Sequence, residues 1–296
     1  MLKDKVILVT GAGRGVGRDI ALLAASQGAK VVVNDLGGQA DGEGEDKTPA
    51  MEVVGDIKEA GGEAVANYGS VADFEMAEAM IQQAVDTYGK IDGIVNNAGI
   101  LRDVIFHKMT EEEWDIVIDV HLKGCFNVAR AAATRFREQK SGAFVHMTST
   151  SGLVGNFGQA NYGAAKMGML GIMNVLAIEG LSKNIKVNCL APAAETRLIG
   201  TIPGVEVDPD NPDPMRHPQL VTPAVLLMCA EDAPTNKTIH AGNGRFSSSA
   251  TFVNEALEFG VDVTYEDLLE KKDQLLDLSN ANEMSGLIRV MKAQKG

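Results

Sequence analysis

Thr10-Gly11-Ala12-Gly13-Arg14-Gly15-Val16-Gly17 is the stretch on which the reading of this chain turns. It follows Val6-Ile7-Leu8-Val9-Thr10, a short β-branched run of the length expected for a buried strand. It precedes residues 16–27, whose pattern is that of a helix closed by Gly28. Glycines between a strand and a helix allow a tight turn and let another group approach the backbone closely. The helix start adds free N–H groups and a positive dipole end, so the segment can cradle a phosphate. Glycines alone also mark ordinary turns. The strand–turn–helix context favours a phosphate site built from Gly11, Arg14, Gly15, Val16 and Gly17.

Residues 30–35 read as the next strand, with Val31-Val32-Val33 at its centre and Asp35 at its end. A carboxylate about 20 residues past the glycines can accept hydrogen bonds from ribose hydroxyls and repel a 2′-phosphate, selecting NAD over NADP. Arg14 pulls the other way, since a cation in the glycine loop could welcome that phosphate. Asp35 carries more weight, because its charge falls where the phosphate would lie.

Further strand candidates lie at 63–67, 91–96, 143–147 and 185–190, with helical patterns near 50–60, 73–88, 111–138 and 158–182. Short apolar strands separated by helices imply parallel pairing with right-handed crossovers. The expected fold class is α/β, a doubly wound, Rossmann-like parallel sheet with ligands at the carboxyl ends of its strands. Residues 1–296 are expected to form a single domain, with a dinucleotide-binding core at 1–249 and a helical C-terminal extension at 250–296. The extension shows helical patterns at 263–278 and 281–292. Two segments break the rhythm. Residues 37–47, rich in Gly, Asp and Glu, read as a solvated surface loop. Residues 203–218 carry five prolines, which excludes regular helix or inner strand and suits a mobile lid over a substrate.

Composition bounds the remaining classes. The formal charge of -13 argues against a nucleic-acid surface, which relies on clustered Lys and Arg. A few local cations could still hold one phosphate-bearing small molecule. Cys125, Cys189 and Cys229 lie far apart with no partner spacing for a metal, so reduced thiols and no metal site are expected. No uncharged apolar run reaches the length of a membrane span, and the charged N-terminus passes at once into a strand, so neither a span nor a signal peptide is expected. His146 alternates within a strand and reads as a core histidine. The methionines of 167–173 read as core filling.

Tyr162-Gly163-Ala164-Ala165-Lys166 carries the sharpest chemistry. The spacing puts a phenol and an ammonium on one helical face, a turn apart. A cation there stabilises phenolate and can lower the tyrosine pKa from about 10, making Tyr162 a general acid or base. Alone, this spacing is common by chance. Ser149 sharpens it, because it follows the strand at 143–147, at the edge where a cofactor would sit, and its hydroxyl could hold a substrate oxygen beside the tyrosine.

Together, Thr10–Gly17, Asn96-Asn97-Ala98-Gly99, Ser149 and Tyr162–Lys166 resemble the short-chain dehydrogenase/reductase family. Val33-Asn34-Asp35-Leu36-Gly37-Gly38, Asn97-Ala98-Gly99-Ile100-Leu101-Arg102-Asp103 and Gly155-Asn156-Phe157-Gly158-Gln159-Ala160-Asn161-Tyr162 resemble one branch of it, the (3R)-hydroxyacyl-CoA dehydrogenase units of the peroxisomal multifunctional enzymes of type 2. The likeness extends loosely into Lys271-Lys272-Asp273-Gln274-Leu275. The resemblance implies Tyr162 as catalytic acid/base, Lys166 as its pKa partner and ribose anchor, and Ser149 as ligand of the substrate oxygen. It further implies Asn96 on the cofactor's ribose, Ser70 and Val71 beside the adenine, Ala98 and Gly99 at the cofactor, and Thr196 near the nicotinamide amide. Where many relatives place an Asn for a proton-relay water, Val120-His121-Leu122-Lys123-Gly124 has His121, a candidate for the same relay or for helix packing. Gly69 stands where an acid could grip the adenine amine, and Pro192-Ala193-Ala194-Glu195-Thr196 lacks the glycine usual after the proline.

The resulting expectation is NAD-dependent oxidation of a secondary alcohol, a (3R)-3-hydroxyacyl-CoA converted to its 3-oxoacyl-CoA in β-oxidation of fatty acids or sterol side chains. Arg102, Lys108, Arg197 and Arg245 are candidate cations for the CoA phosphates. A 17β-hydroxysteroid dehydrogenase is the alternative, and a nucleotide-binding protein without turnover a further one. The partners expected are a small-molecule substrate, acyl-CoA or steroid, and a second copy in a homodimer, with no nucleic acid and no membrane. The C-terminal Ala293-Gln294-Lys295-Gly296 offers no peroxisomal address, and a cytoplasmic, stand-alone enzyme is expected.

Overall fold

The computed structural model describes residues 2–195, 208 and 213–293. Thr196 and Arg197, and most of the proline-rich stretch, lie outside the described residues. The chain divides into two compact units, Met1–Ser248 and Ser249–Gly296.

The first unit is built on an eight-stranded sheet. Its strands are β1 (Val6–Thr10), β2 (Lys30–Asn34), β3 (Glu63–Asn67), β4 (Gly93–Asn96), β5 (Gly142–Met147), β6 (Ile185–Ala193), β7 (Thr238–Gly242) and β8 (Arg245–Ser249). The order is β3-β2-β1-β4-β5-β6-β7-β8, and β1 to β7 all pair in parallel. Helices α1 (Gly15–Ser26), α2 (Thr48–Glu59), α3 (Phe74–Tyr88), α4 (Glu111–Ile118), α5 (Gly124–Gln139), α6 (Thr150–Val154), α7 (Ala160–Gly180) and α8 (Thr222–Cys229) complete it. This is the doubly wound arrangement expected from the sequence.

Alternation along the strands explains the two layers. Ile7, Val9, Val31, Val33 and Val145 face one core with α1, α2 and α8. Val6, Leu8, Val32, Ile94 and Phe144 face the other, with α3, α5 and α7. Each fully buried aliphatic contributes roughly 1.5–3 kcal/mol of transfer free energy, so continuous apolar strands are stable only when covered on both faces. The helices start where their caps dictate. The Asp73 carboxylate accepts from the Met76 N–H, and Thr110 with Glu113 forms a reciprocal capping box. α7 is long and apolar enough to cross a membrane by composition alone, but here Met169, Met173 and Ala177 are buried in the second core.

Three elements were not legible beforehand. The helix expected over 111–138 is interrupted by a π-helical turn, Asp119–Lys123, between α4 and α5. β7 and β8 were unassigned. Asn243 (φ 54°) and Gly244 (φ 66°) join them in the positive-φ geometry of a two-residue hairpin, so the Asn-Gly pair was the available signal.

In the second unit, β9 (Phe252–Val253) pairs antiparallel with β10 (Asn282–Glu283). Its helices are α9 (Tyr265–Glu270), α10 (Lys272–Leu276) and α11 (Gly286–Ala293). The helix expected over 263–278 is therefore two short ones, breaking at Lys271, and residues 282–283 of the second expected helix form a strand.

Candidate active site

The chain leaves β1 toward β2 and β3, then returns to place β4 on the other side of β1. Such a reversal opens a crevice at the carboxyl ends of the two strands. Thr10 and Asn97 stitch its floor. Thr10 Oγ1 accepts from the N–H groups of Asn97 (3.0 Å) and Ala98 (3.1 Å), and Asn97 Nδ2 donates to the carbonyls of Thr10 (2.9 Å) and Gly11 (3.0 Å). Gly11 has φ +63°, and a Cβ there would lie 2.8 Å from Ala98 Cα, so only glycine fits. Arg14 gives α1 no side-chain cap, leaving the first-turn N–H groups for an anion.

A cleft of about 1120 Å³ runs along this edge. Gly11, Arg14, Gly15, Val16 and Gly17 form its end at the glycine loop, and Asp35, Ser70 and Val71 continue that wall. Ala98, Gly99, His121, Ser149, Tyr162 and Lys166 line the rest. Fourteen of the sequence-derived candidates thus meet in one cavity. Asn96 does not reach it. Its side chain is buried, with Nδ2 3.1 Å from His146 Nδ1, and the cleft wall at the end of β4 is made instead by Asn97, Ala98 and Gly99. The strand alternation that sends Asn97 one way sends Asn96 the other. Thr196 lies outside the described residues. His146 is fully buried and burial pushes its imidazole down to about 4, as suits a core histidine.

Asp35 is held from two sides. Its Oδ2 accepts from the Gly13 N–H at 2.7 Å and its Oδ1 from the Gly37 N–H at 2.7 Å. Asp46 sits below the ordinary carboxylate range because of the Thr48 amide and, in smaller part, the nearby charge of Arg14. Residues 37–47 are not simply a solvated loop. The Leu101 N–H donates to Ala40 O (3.0 Å), Arg102 Nε donates to Asp41 O (2.8 Å), and Gly38, Gln39 and Gly42 line the cleft. The loop's charges face water while its backbone is fastened to 101–102, which composition could not reveal.

Ser149 lies two residues past β5 and caps α6, its Oγ accepting from the Ser151 N–H at 3.1 Å. That leaves the hydroxyl proton free to donate. Lys166 is buried and its Nζ donates to Met147 O at 2.6 Å, 5.3 Å from the centroid of the Tyr162 ring. Burial drives the lysine down to about 8. Burial pushes Tyr162 up to about 12, a hydrogen bond from Ser149 pulls it back, and the charge of Asp103 pushes it further up. The lowered phenol expected from the Tyr–Lys spacing is therefore not what this geometry gives. Desolvation outweighs a neighbouring ammonium that is directed at a carbonyl.

His121 sits in the π-helical turn, a device frequent at functional sites. Its ring meets Tyr162 edge-on, centroids 5.1 Å apart. Nε2 lies 3.0 Å from Ile100 N and 2.8 Å from Ile100 O. Nδ1 is buried without a hydrogen-bond partner among the described residues. Burial, reinforced by Lys166, holds the imidazole well below its ordinary value, so it is neutral near pH 7. Gly99 has no room for a Cβ against this ring.

Sequence reasoning missed Asn97, Gln159 and Asp103, and the ion pair of His217 Nδ1 with Asp19 Oδ2 (3.5 Å), both of which line the cleft. Single polar residues in loops carry no periodic signal. Among the described residues no group of three or more His, Cys, Asp or Glu side chains is placed to hold a metal.

Comparison with known proteins agrees with this geometry. The short chain dehydrogenase family matches residues 5–198. A Mycobacterium tuberculosis protein named as a short-chain type dehydrogenase/reductase is 47% identical over 95% of this chain and 96% of its own length. Peroxisomal multifunctional enzyme type 2 of Mus musculus is 48% identical over 78% of this chain, a match that spans 30% of that longer protein. A crystal structure of a short chain dehydrogenase from Mycobacterium avium superposes with a TM-score of 0.81 at 36% identity, covering 96% of this chain and 99% of that one.

Proposed function

The chain belongs to the short-chain dehydrogenase family, and from that membership we propose that it oxidises a (3R)-3-hydroxyacyl-CoA to the 3-oxoacyl-CoA with NAD. The observation that carries the reading is the convergence of Ser149, Tyr162 and Lys166 in the cleft that the glycine loop opens. The substrate class rests on the resemblance to the multifunctional enzymes, 48% identical in the mouse protein.

The residues present fit a dinucleotide. A Cβ on Gly13 would lie 2.9 Å from the Asp35 carboxylate and one on Gly11 would strike Ala98, so the glycines hold the loop close against Asp35 and the end of β4, and the uncapped first turn of α1 would meet the pyrophosphate. Asp35, clamped by two amides, cannot swing aside for a 2′-phosphate, and Arg14 has Asp46 for a neighbour; both favour NAD over NADP. Bound there, NAD would supply the hydride acceptor and a positively charged ring.

The protein's part is position and proton transfer. The Ser149 hydroxyl holds the substrate oxygen, with its own oxygen anchored by the Ser151 amide. With the positive ring of bound NAD and the Lys166 ammonium drawing its phenol down from about 12, Tyr162 would take the hydroxyl proton on oxidation and return it on reduction. Lys166, buried and fixed by Met147 O, supplies the nearby cation. His121, neutral with Nδ1 unspent, is suited to hold a relay water. For the CoA phosphates, Lys108 and Arg245 are exposed, whereas Arg102 is engaged with Asp41 O and Glu43.

A homodimer is part of the proposal. Phe126 on α5 and Met167 and Val175 on α7 are exposed apolar groups on the outer faces of two long helices. Light scattering on the purified protein tests it, and a monomer mass would refute it.

The functional test is NADH formation with NAD and a panel of (3R)- and (3S)-hydroxyacyl-CoA esters and 17β-hydroxysteroids. Turnover mainly on (3R)-thioesters is expected. Turnover confined to steroids would replace the substrate class while leaving the chemistry. No turnover with retained NAD binding would favour a binding protein.

A further inference from the structure

Asp103 has no part in the reaction as written above, yet it is one of the groups whose charge acts on Tyr162. It lies in the segment leaving β4, which is tied to the start of α7 by three hydrogen bonds. Asn161 Nδ2 donates to Arg102 O (3.0 Å), Gln159 Nε2 to Asp103 Oδ2 (2.6 Å), and the Val104 N–H to Gly158 O (2.9 Å). Asn161 Oδ1 in turn accepts from the Tyr162 N–H at 2.7 Å. The first turn of the catalytic helix is thus set by residues 102–104.

The carboxyl itself is half-used. Oδ1 is buried and has no partner among the described residues. Burial raises its pKa above the ordinary carboxylate range, and the Gln159 amide draws it back. Around Tyr162 stand Asp103 from this segment, His121 from the π-helical turn, Ser149 from just past β5 and Lys166 on its own helix. His121 is neutral and Ser149 uncharged, so among the described residues named here the charges beside the phenol are Asp103 and Lys166. Arg102, the nearest cation in sequence, is turned to Asp41 O and Glu43 and does not neutralise Asp103.

We propose that Asp103 is a positioning residue for Tyr162: anchored by Gln159, its buried carboxylate holds the first turn of α7 and brings a negative charge to bear on the phenol. A carboxylate at this place keeps Tyr162 protonated to higher pH. It therefore restrains alcohol oxidation near neutrality and favours the same site as a proton donor in ketone reduction. The inference rests on Tyr162 being the acid/base of the proposed reaction.

The test compares wild type with Asp103→Asn and Asp103→Glu. The pH profile of kcat/KM for (3R)-3-hydroxybutyryl-CoA oxidation at saturating NAD is followed from about pH 6 to pH 10.5, the range into which Lys166 and the positive ring of bound NAD would bring the phenol. Asp103→Asn should lower the apparent pKa of the ascending limb by roughly half a unit to one unit, and Asp103→Glu should restore it. Phenolate absorbance of wild type minus Tyr162→Phe, at saturating NAD, isolates one of the four tyrosines and should shift in the same direction. Should Asp103→Asn not fold, Asp103→Ser removes the charge with a smaller side chain and carries the same expectation. A uniform loss of kcat with neither profile displaced would make Asp103 merely structural and overturn the inference. If Tyr162→Phe keeps its turnover, the acid/base reading fails instead, while the absorbance titration still judges the charge of Asp103.

Discussion

Asp35 Oδ2 accepts the Gly13 N–H at 2.7 Å, so the carboxylate at the end of β2 also closes the glycine loop after β1. The proposed cofactor choice and the loop shape therefore rest on one side chain. Asp35→Ser is expected to weaken NADH binding roughly tenfold to a hundredfold and to narrow or reverse its preference over NADPH. Fluorescence titration with both cofactors checks this. An unchanged NADH/NADPH ratio would remove Asp35 from cofactor selection.

Tyr162→Phe deletes the phenol hydroxyl that Ser149 meets in the cleft and keeps the ring against His121. Turnover should fall roughly a thousandfold with NADH affinity held within about twofold, since general acid–base groups contribute on that order. Single-turnover kinetics beside equilibrium binding separates the two quantities. Parallel losses in both would mean that the ring serves binding rather than chemistry.

His121→Leu retains apolar bulk and removes both ring nitrogens, the unspent Nδ1 and the Nε2 held at Ile100. A relay role predicts a loss of about tenfold to a hundredfold in kcat with KM for NAD unchanged. Unimpaired kcat would reduce His121 to packing against Gly99 and Tyr162.

Acid stability follows from the same burial. His146 is pushed down to about 4 and His121 well below its ordinary value, so both are neutral in the fold and take protons only on unfolding. Between about pH 6.5 and pH 4 the unfolded chain binds more protons, and stability must fall as pH falls. Each histidine contributes up to about 1.4 kcal/mol per pH unit, about 3 kcal/mol in all for His146. Asp19 and Asp103, raised by burial, act in the opposite sense nearer the carboxylate range. Urea midpoints measured from about pH 7 to pH 5 should decline, and His146→Gln should make the decline shallower. A flat profile would contradict the burial of both imidazoles.

Sequence alone determined the first six strands of the sheet and most of the cleft. The alternation of Val6 to Val9 and Val31 to Val33 fixes strands covered on both faces, and the glycines after β1 fix where the chain turns. Such signals are local, since a strand's period and a glycine's freedom are properties of a few consecutive residues. Ser149 just past β5 and the Tyr162–Lys166 pair on α7 could be grouped from the strand position, the four-residue spacing and the family resemblance.

What the tertiary structure decided was direction, partnership and charge. Asn96 and Asn97 are neighbours of one type, and only the strand's orientation tells that Asn97 forms the cleft wall while Asn96 meets His146. The loop at 37–47 is acidic in composition, yet backbone hydrogen bonds to 101–102 bind it over the site. The π-helical turn that presents His121 is invisible in a pattern of apolar periodicity. Above all, Lys166 standing a turn from Tyr162 suggested a lowered phenol, while burial raises it to about 12 and Asp103 adds to the rise. Spacing gives proximity along one helix, but a pKa depends on the solvent excluded and the charges brought in from every other element, and those exist only once the chain has folded.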